Sequence, residues 1–177
     1  GKAISPINQN FLNPDYLIGV MLRNIVEIGL MALPVTLVVI TGGIDLSVGS
    51  ILVLSAMASG MMAKSYGDAV GLLAALAIGT LCGLLNGLVI AKLKISPLVT
   101  TLATMFLFMG IARGLSLGDS VYSFKLSEWL GMTDIAGIPL QIYIYVLFAV
   151  VFFLLLAKTT LGRSVYAIGL NENATKY

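Results

Sequence analysis

Hydrophobic residues are gathered into five long runs, and short polar stretches separate these runs along the chain. A helix needs about 20 apolar residues to cross the hydrocarbon core of a bilayer, and each run reaches or approaches that length. The first two runs are the shortest, so their ends are the least well defined. The pattern predicts five membrane-spanning helices, over residues 25–41, 46–62, 70–91, 98–117 and 140–157.

The composition supports a protein whose solvent is largely lipid. Hydrophobic residues make up 59% of the chain and charged residues 10%, with a mean hydropathy of +1.03. Soluble domains carry about 25% charged residues, because their surfaces must be covered by polar groups. Inside a bilayer the backbone must satisfy its own hydrogen bonds, which helices do. The predicted fold class is therefore an all-α, polytopic integral membrane protein.

Several classes of function are disfavoured by the residues that are missing or rare. The sequence contains no histidine, so it lacks Ser-His and Cys-His nucleophiles and the commonest metal ligand. Its one cysteine, Cys82, cannot form an intramolecular disulfide. A net charge of +2 without a basic run argues against a nucleic-acid partner. We expect no catalytic residues, no metal and no cofactor.

The chain starts at Gly1 without an initiator methionine and finishes in a polar stretch at Tyr177. We interpret residues 1–177 as a single transmembrane domain belonging to a longer chain. Orientation follows from the excess of Lys and Arg in short cytoplasmic loops. This rule places the turn 92–97 and the tail 158–177 in the cytoplasm, and the stretch 118–139 outside. Trp129 in that outer stretch fits a position at the membrane interface.

The third run carries a stripe of small residues at four-residue spacing: Gly71, Ala75, Gly79, Gly83, Gly87 and Ala91. In lipid, small residues four apart let two helix backbones approach closely. Each step of four overshoots a full turn by about 40°, so the stripe winds around its helix. It predicts tight packing against more than one neighbour, with Gly83 as a close contact.

The segment 41–50, Thr-Gly-Gly-Ile-Asp-Leu-Ser-Val-Gly-Ser, predicts a broken helix. Gly42 and Gly43 interrupt a helix because their backbones are unusually free. Ser47 can cap the next helix by accepting from its free amides, and Asp45 is stabilised near that positive end. Broken helices often line the pathway of a transporter, so these four residues are candidates for translocation or gating. A simple cytoplasmic hairpin whose Asp45 caps a helix remains the alternative.

Two further sets of polar residues lie in the runs. Asn86 is polar at mid-membrane, and we include it among the gating candidates, although an interhelical hydrogen bond is the expected role. Arg23 and Glu27 lie one turn apart at the start of the first run. They predict an ion pair that reaches the outer interface.

Three motifs in order carry a resemblance to a known family. They are the segment 41–50, the turn Lys94-Ile95-Ser96-Pro97 with the following residues 101–105, and the amphipathic stretch 162–174. Together they resemble the permease subunits of bacterial sugar ABC importers, the ribose, xylose, arabinose, galactose and autoinducer-2 group. The resemblance implies a permease of the inner membrane that pairs with a second, identical or related permease. It also implies two cytoplasmic ATPases and an external protein that delivers a monosaccharide.

The same resemblance gives the tail 158–177 a role. Taken alone, this amphipathic tail is a juxtamembrane loop. In the family, the segment matching 162–174 is where the permease meets the ATPase. The resemblance therefore implies five candidate residues for coupling to the ATPase: Arg163, Tyr166, Gly169, Asn171 and Glu172. We expect Gly169 to supply a turn. An ion-coupled secondary transporter is the alternative function, and it would need membrane carboxylates, for which Asp45 and Glu27 are available.

Overall fold

A computed structural model describes residues 20–117 and 125–170 of the chain. Its helices are α1 (Leu22–Ile40), α2 (Val48–Tyr66), α3 (Asp68–Leu93), α4 (Pro97–Ser116), α5 (Lys125–Met132), α6 (Leu140–Lys158) and α7 (Thr160–Leu170). Between α5 and α6 a short antiparallel hairpin pairs β1 (Asp134–Ile135) with β2 (Ile138–Pro139). Parts of two predictions, for residues 118–124 of the outer stretch and residues 171–177 of the tail, lie outside the described residues.

The prediction of an all-α, polytopic membrane protein is confirmed. Within the described residues, five helices are long and apolar enough to cross a membrane: α1, α2, α3, α4 and α6. The first two are longer than predicted, at 19 residues each. Pro97 opens α4, as expected of a residue that has no amide hydrogen to leave unpaired. Helix α5 and the hairpin were not predicted.

Much of the apolar surface of these helices is exposed, as lipid contact requires. In α6 no residue is buried against the rest of the described chain. A small cluster from α2, α3 and α4 is enclosed, formed by Leu54, Cys82, Phe108 and Ala112. In water such an exposed apolar surface would drive aggregation, whereas in a bilayer it faces hydrocarbon.

The described residues form two compact units, which we call the break unit (residues 38–117 and 125–127) and the tail unit (residues 20–37 and 128–170). In the break unit, α2 and α3 are antiparallel and joined by Gly67 alone, whose φ of +93° favours glycine. A Cβ on Gly71 would lie 2.6 Å from the Cβ of Ala63 and 2.8 Å from the carbonyl oxygen of Ser59. The close packing predicted from the stripe is therefore present at Gly71.

The same stripe does not behave as predicted further along α3. A Cβ placed on Gly83 or Gly87 meets no heavy atom of the described chain within 4 Å. The buried positions of α3 continue instead through Cys82 and Asn86. Repeated steps of four rotate a helix face by about 40° each, and steps of three correct that drift. The prediction that Gly83 is a close contact is wrong.

In the tail unit, α1 and α6 run parallel. A Cβ on Gly29 of α1 would lie 2.8 Å from Cε2 of Tyr145 in α6. One turn further along both helices lies an apolar groove of about 210 Å³, lined by Leu30, Leu33, Pro34, Phe148 and Phe152. Two helices that run parallel cross the membrane in the same direction, as expected of the first and the fifth of the candidate spans found in the described residues.

The ion pair predicted between Arg23 and Glu27 is wrong. The Arg23 guanidinium pairs with Asp134 of the hairpin at 2.6 Å and also donates to the carbonyl of Gly131. A planar guanidinium presents several donors in a fork, so one arginine can hold a carboxylate and a carbonyl together. Arg23 thereby ties the start of α1 to the stretch that precedes α6.

Candidate functional site: a clamped helix break

The backbone leaves the helical path immediately after α1. Gly42 adopts a φ of +78°, and its amide and that of Gly43 donate to the carbonyls of Val39 and Val38 at 3.0 and 2.9 Å. These bonds close the C-terminal turn of α1, whose last carbonyls have no partner further along the helix. The predicted break at Gly42 and Gly43 is confirmed, and α2 starts only at Val48.

Asp45 and Ser47 form a local polar pair at the start of α2. One carboxylate oxygen of Asp45, Oδ1, accepts from the Ser47 amide at 2.8 Å and from the Ser47 hydroxyl at 2.7 Å. Ser47 is the residue that caps α2, but its side chain makes no capping hydrogen bond to the helix amides. The prediction that the Ser47 hydroxyl accepts from these amides is therefore wrong, because that hydroxyl is engaged by Asp45.

Asn86 joins this pair from α3. Its side-chain nitrogen Nδ2 donates to the Ser47 hydroxyl oxygen at 2.8 Å, which is the interhelical hydrogen bond that the sequence predicts. A carboxylate can only accept, so the Ser47 proton is directed to Asp45 and the Ser47 oxygen is left to accept from Asn86. The network therefore fixes which way the amide points. Ser47 is 0% exposed and Asn86 5% exposed.

Sequence reasoning missed the contribution of α4 to this site. The Thr101 hydroxyl accepts from the Leu46 amide and donates to the Ile44 carbonyl, both at 3.2 Å. Thr101 is 2% exposed. The motif 101–105 contributed to the family resemblance, and its threonines stand out as polar residues inside an apolar run. No sequence pattern relates a residue of α4 to a break more than fifty positions earlier.

Side chains of the break differ in their exposure. Ser47 is bonded to Asn86 of α3 and is buried, whereas Ile44 is 53% exposed. Three of the five gating candidates, Asp45, Ser47 and Asn86, are hydrogen-bonded to one another. The other two, Gly42 and Gly43, form the break itself and bond to the end of α1. Among the described residues, no group of three or more acidic or cysteine side chains could hold a metal ion.

Three of the coupling candidates, Arg163, Tyr166 and Gly169, lie on α7, which Thr159 alone separates from α6. Thr159 connects the two helices: its hydroxyl donates to the Leu155 carbonyl at 2.6 Å and accepts from the Gly162 amide at 3.2 Å. A Cβ on Gly162 would collide with the carbonyl oxygens of Leu155 and Leu156. Glycine is thus required for this tight turn, and it fixes the angle at which α7 leaves the membrane span.

Arg163 and Tyr166 are exposed on α7, one turn apart and on one face. Tyr166 is 48% exposed, whereas Val165 and Ile168 are partly buried. Gly169 lies inside the helix, so the prediction that it supplies a turn is wrong. Asn171 and Glu172 lie outside the described residues.

Asp45 offers a test of the network that separates its acceptor oxygen from its charge. Asp45→Asn keeps an oxygen that can accept both bonds from Ser47, so we expect a loss of about 1 kcal/mol of stability or less. Asp45→Leu leaves a buried amide and a hydroxyl without their acceptor, which costs about 1–3 kcal/mol. Thermal unfolding of the detergent-purified protein measures both. Equal losses in the two variants would contradict the network.

The described residues contain five candidate membrane spans, a polar helix break and an exposed helix after the last of these spans, which together are typical of a membrane transport component. The chain matches, over residues 17–177, the family described as branched-chain amino acid transport system, permease component. It belongs to that family, which is a family of transport components. The protein is thus a multi-pass protein of the bacterial inner membrane.

Two curated relatives share substantial identity with the chain. The galactofuranose transporter permease protein YtfT of Escherichia coli (strain K12) is 37% identical over 158 residues, which cover 88% of this chain and 46% of the relative. The autoinducer 2 import system permease protein LsrD of Escherichia coli O9:H4 (strain HS) is 34% identical over 184 residues, covering 99% of this chain and 55% of the relative. The chain thus spans about half the length of these relatives. No solved structure matches it.

Proposed function

We propose that this chain is part of the permease subunit of an ATP-binding-cassette importer that carries a monosaccharide or a similar small polar solute across the inner membrane. The match to the permease family over residues 17–177 carries this proposal. The two relatives are named for a galactofuranose transporter and an autoinducer 2 import system, and these names support a polar solute rather than an apolar one.

The permease itself performs no covalent chemistry in this proposal. ATP hydrolysis belongs to cytoplasmic ATPase subunits, and an external binding protein delivers the solute. A second permease subunit, identical or related, completes the pathway. Coupling then requires that ATP binding favour one of two conformations of the spans over the other.

The break contributes to this cycle through its geometry. Ser47 and Asn86 are buried and bonded to each other, so they act on the position of the backbone at Gly42 and Gly43. We assign a gating role to the glycines of the break, Gly42 and Gly43, together with the bonded residues Asp45, Ser47 and Asn86: the break moves as one piece when the surrounding helices rearrange. Direct contact of their polar groups with the solute would require that the network open first.

Helix α7 is the proposed docking element for the ATPase. The cap at Thr159 and the turn at Gly162 hold α7 at a fixed angle to α6, so a force on α7 is transmitted to a membrane span. Its exposed Arg163 and Tyr166 offer one cationic and one aromatic contact, and both residue types are enriched in protein interfaces. Asn171 and Glu172 would extend this surface beyond the helix.

The ion-coupled alternative has less support. A coupling ion needs a carboxylate within the membrane that is available to bind it. Oδ1 of Asp45 already accepts two hydrogen bonds from Ser47. Family membership also favours the importer.

Docking through α7 is tested in the complete permease. We expect Tyr166→Ala to reduce co-purification of the ATPase and to lower the ATP hydrolysis that solute-loaded binding protein stimulates, by about tenfold, because an aromatic anchor at an interface is worth about 1–3 kcal/mol. Tyr66→Ala is the matched control. Tyr66 is also an exposed tyrosine, but it lies at the end of α2, which the proposal does not assign to ATPase docking.

Binding of the solute by the external protein should be the same in both variants. Full stimulation in Tyr166→Ala, with an intact complex on size exclusion, would show that α7 is not the coupling surface. Loss of the complex in the Tyr66→Ala control would show that the effect is not specific to α7.

A further inference from the structure

The break leaves backbone groups that no helix can satisfy. Between the last residue of α1 and the first of α2, the chain is neither helix nor strand. An amide or carbonyl that the fold buries without a partner costs free energy, because it loses its hydrogen bond to water. The groups of Ile44 and Leu46 therefore need partners from elsewhere in the fold.

One side chain supplies a partner to both. The Thr101 hydroxyl uses its oxygen to accept from the Leu46 amide and its proton to donate to the Ile44 carbonyl. A hydroxyl has one proton and two lone pairs, so it can serve both groups at once. The competing acceptor for that proton, the Leu98 carbonyl of α4, lies farther away at 3.5 Å.

The break is consequently held from two helices. Asn86 of α3 binds the break at Ser47, and Thr101 of α4 binds it at Leu46 and Ile44, one and three residues earlier in the chain. Both residues are almost fully buried, so water does not compete for these bonds. The break is thereby fastened to α3 and α4 rather than left as a free joint between α1 and α2.

We propose that Thr101 is a positioning residue for transport. It sets the path of the backbone between Gly43 and Ser47 and makes the break follow the movement of α4. This inference rests on the proposed transport function. It predicts that loss of the Thr101 hydroxyl makes the backbone of the break more mobile. Solute uptake should then fall while ATP hydrolysis by the partner ATPase continues.

The test compares three variants of the complete permease. Thr101→Val removes the hydroxyl at nearly constant volume, and Thr101→Ser retains the hydroxyl. Thr104→Val is the matched control: its hydroxyl donates to the Thr100 and Thr101 carbonyls within α4, so the same exchange on the same helix leaves the break untouched. Two quantities are measured, hydrogen exchange of the Leu46 amide and solute uptake per folded permease in reconstituted vesicles.

We expect Thr101→Val to speed exchange of the Leu46 amide by about tenfold, the effect of losing one hydrogen bond. Uptake per folded permease should fall by a similar factor while stimulated ATP hydrolysis persists, and Thr101→Ser and Thr104→Val should resemble the unmodified protein. Faster exchange with normal uptake would overturn the positioning role, because the bond would then be structural alone. Normal exchange would overturn the clamp itself.

The outcomes also separate this inference from the proposed function. If the unmodified permease shows no ATP-driven uptake, the proposed function fails, and the exchange measurement still decides whether the clamp exists. If Thr101→Val does not accumulate, the clamp is tested in the unmodified protein and in Thr101→Ser. Rapid exchange of the Leu46 amide in the unmodified protein would contradict the clamp. Slow exchange of this amide in both proteins would support it.

Discussion

Gly71→Leu should abolish accumulation of the folded protein. At Gly71, a Cβ alone would already lie 2.6 Å from the Cβ of Ala63 and 2.8 Å from the carbonyl oxygen of Ser59. Both are rigid parts of α2 rather than the ends of flexible side chains, so α2 and α3 must separate to admit a larger residue. Overpacking costs about 1–3 kcal/mol for a few added carbons. Separation of two helices that meet through small residues adds to this cost.

Gly83→Leu is the matched control on the same helix, because a Cβ on Gly83 meets no other described part of the chain within 4 Å. We expect it to accumulate normally, with a slight gain from the higher helix propensity of leucine. Size exclusion of detergent-solubilised protein after a series of temperatures measures both variants. A Gly71→Leu protein as stable as Gly83→Leu would show that α2 and α3 do not pack closely at Ala63.

The spans could be predicted from the sequence because lipid imposes a simple rule. A chain that crosses hydrocarbon must be helical and apolar over about 20 residues, so the hydrophobic runs mark the helices directly. The glycine pair at 42–43 was equally informative, since two adjacent glycines rarely continue a helix. Both predictions depend on local sequence alone, and both are confirmed.

Other features depend on partners that are distant in the sequence. Arg23 has Glu27 one turn away but pairs with Asp134, more than one hundred positions later. In the sequence, nothing distinguishes Thr101 from other threonines in a span, because its bond to the Ile44 carbonyl forms only in the folded chain. The role of Ser47 likewise depends on Asn86, which is distant in the sequence. The Ser47 hydroxyl could cap a helix, but it donates to Asp45 and accepts from Asn86 instead.

The second large effect concerns the source of energy for transport. In the proposed function, the permease moves solute only when its partner ATPase binds and hydrolyses ATP. Depletion of ATP should therefore abolish uptake, whereas an ionophore that collapses ion gradients should leave it unchanged. An ion-coupled transporter gives the reverse pattern, because its carboxylates respond to the ion gradient.

The central claim is best tested with the complete permease, its ATPase and its binding protein reconstituted into sealed vesicles. Solute uptake is measured with ATP on the ATPase side, without ATP, and with ATP plus an ionophore. The account predicts uptake in the first and third conditions and none in the second. Uptake that persists without ATP and disappears with the ionophore would contradict it.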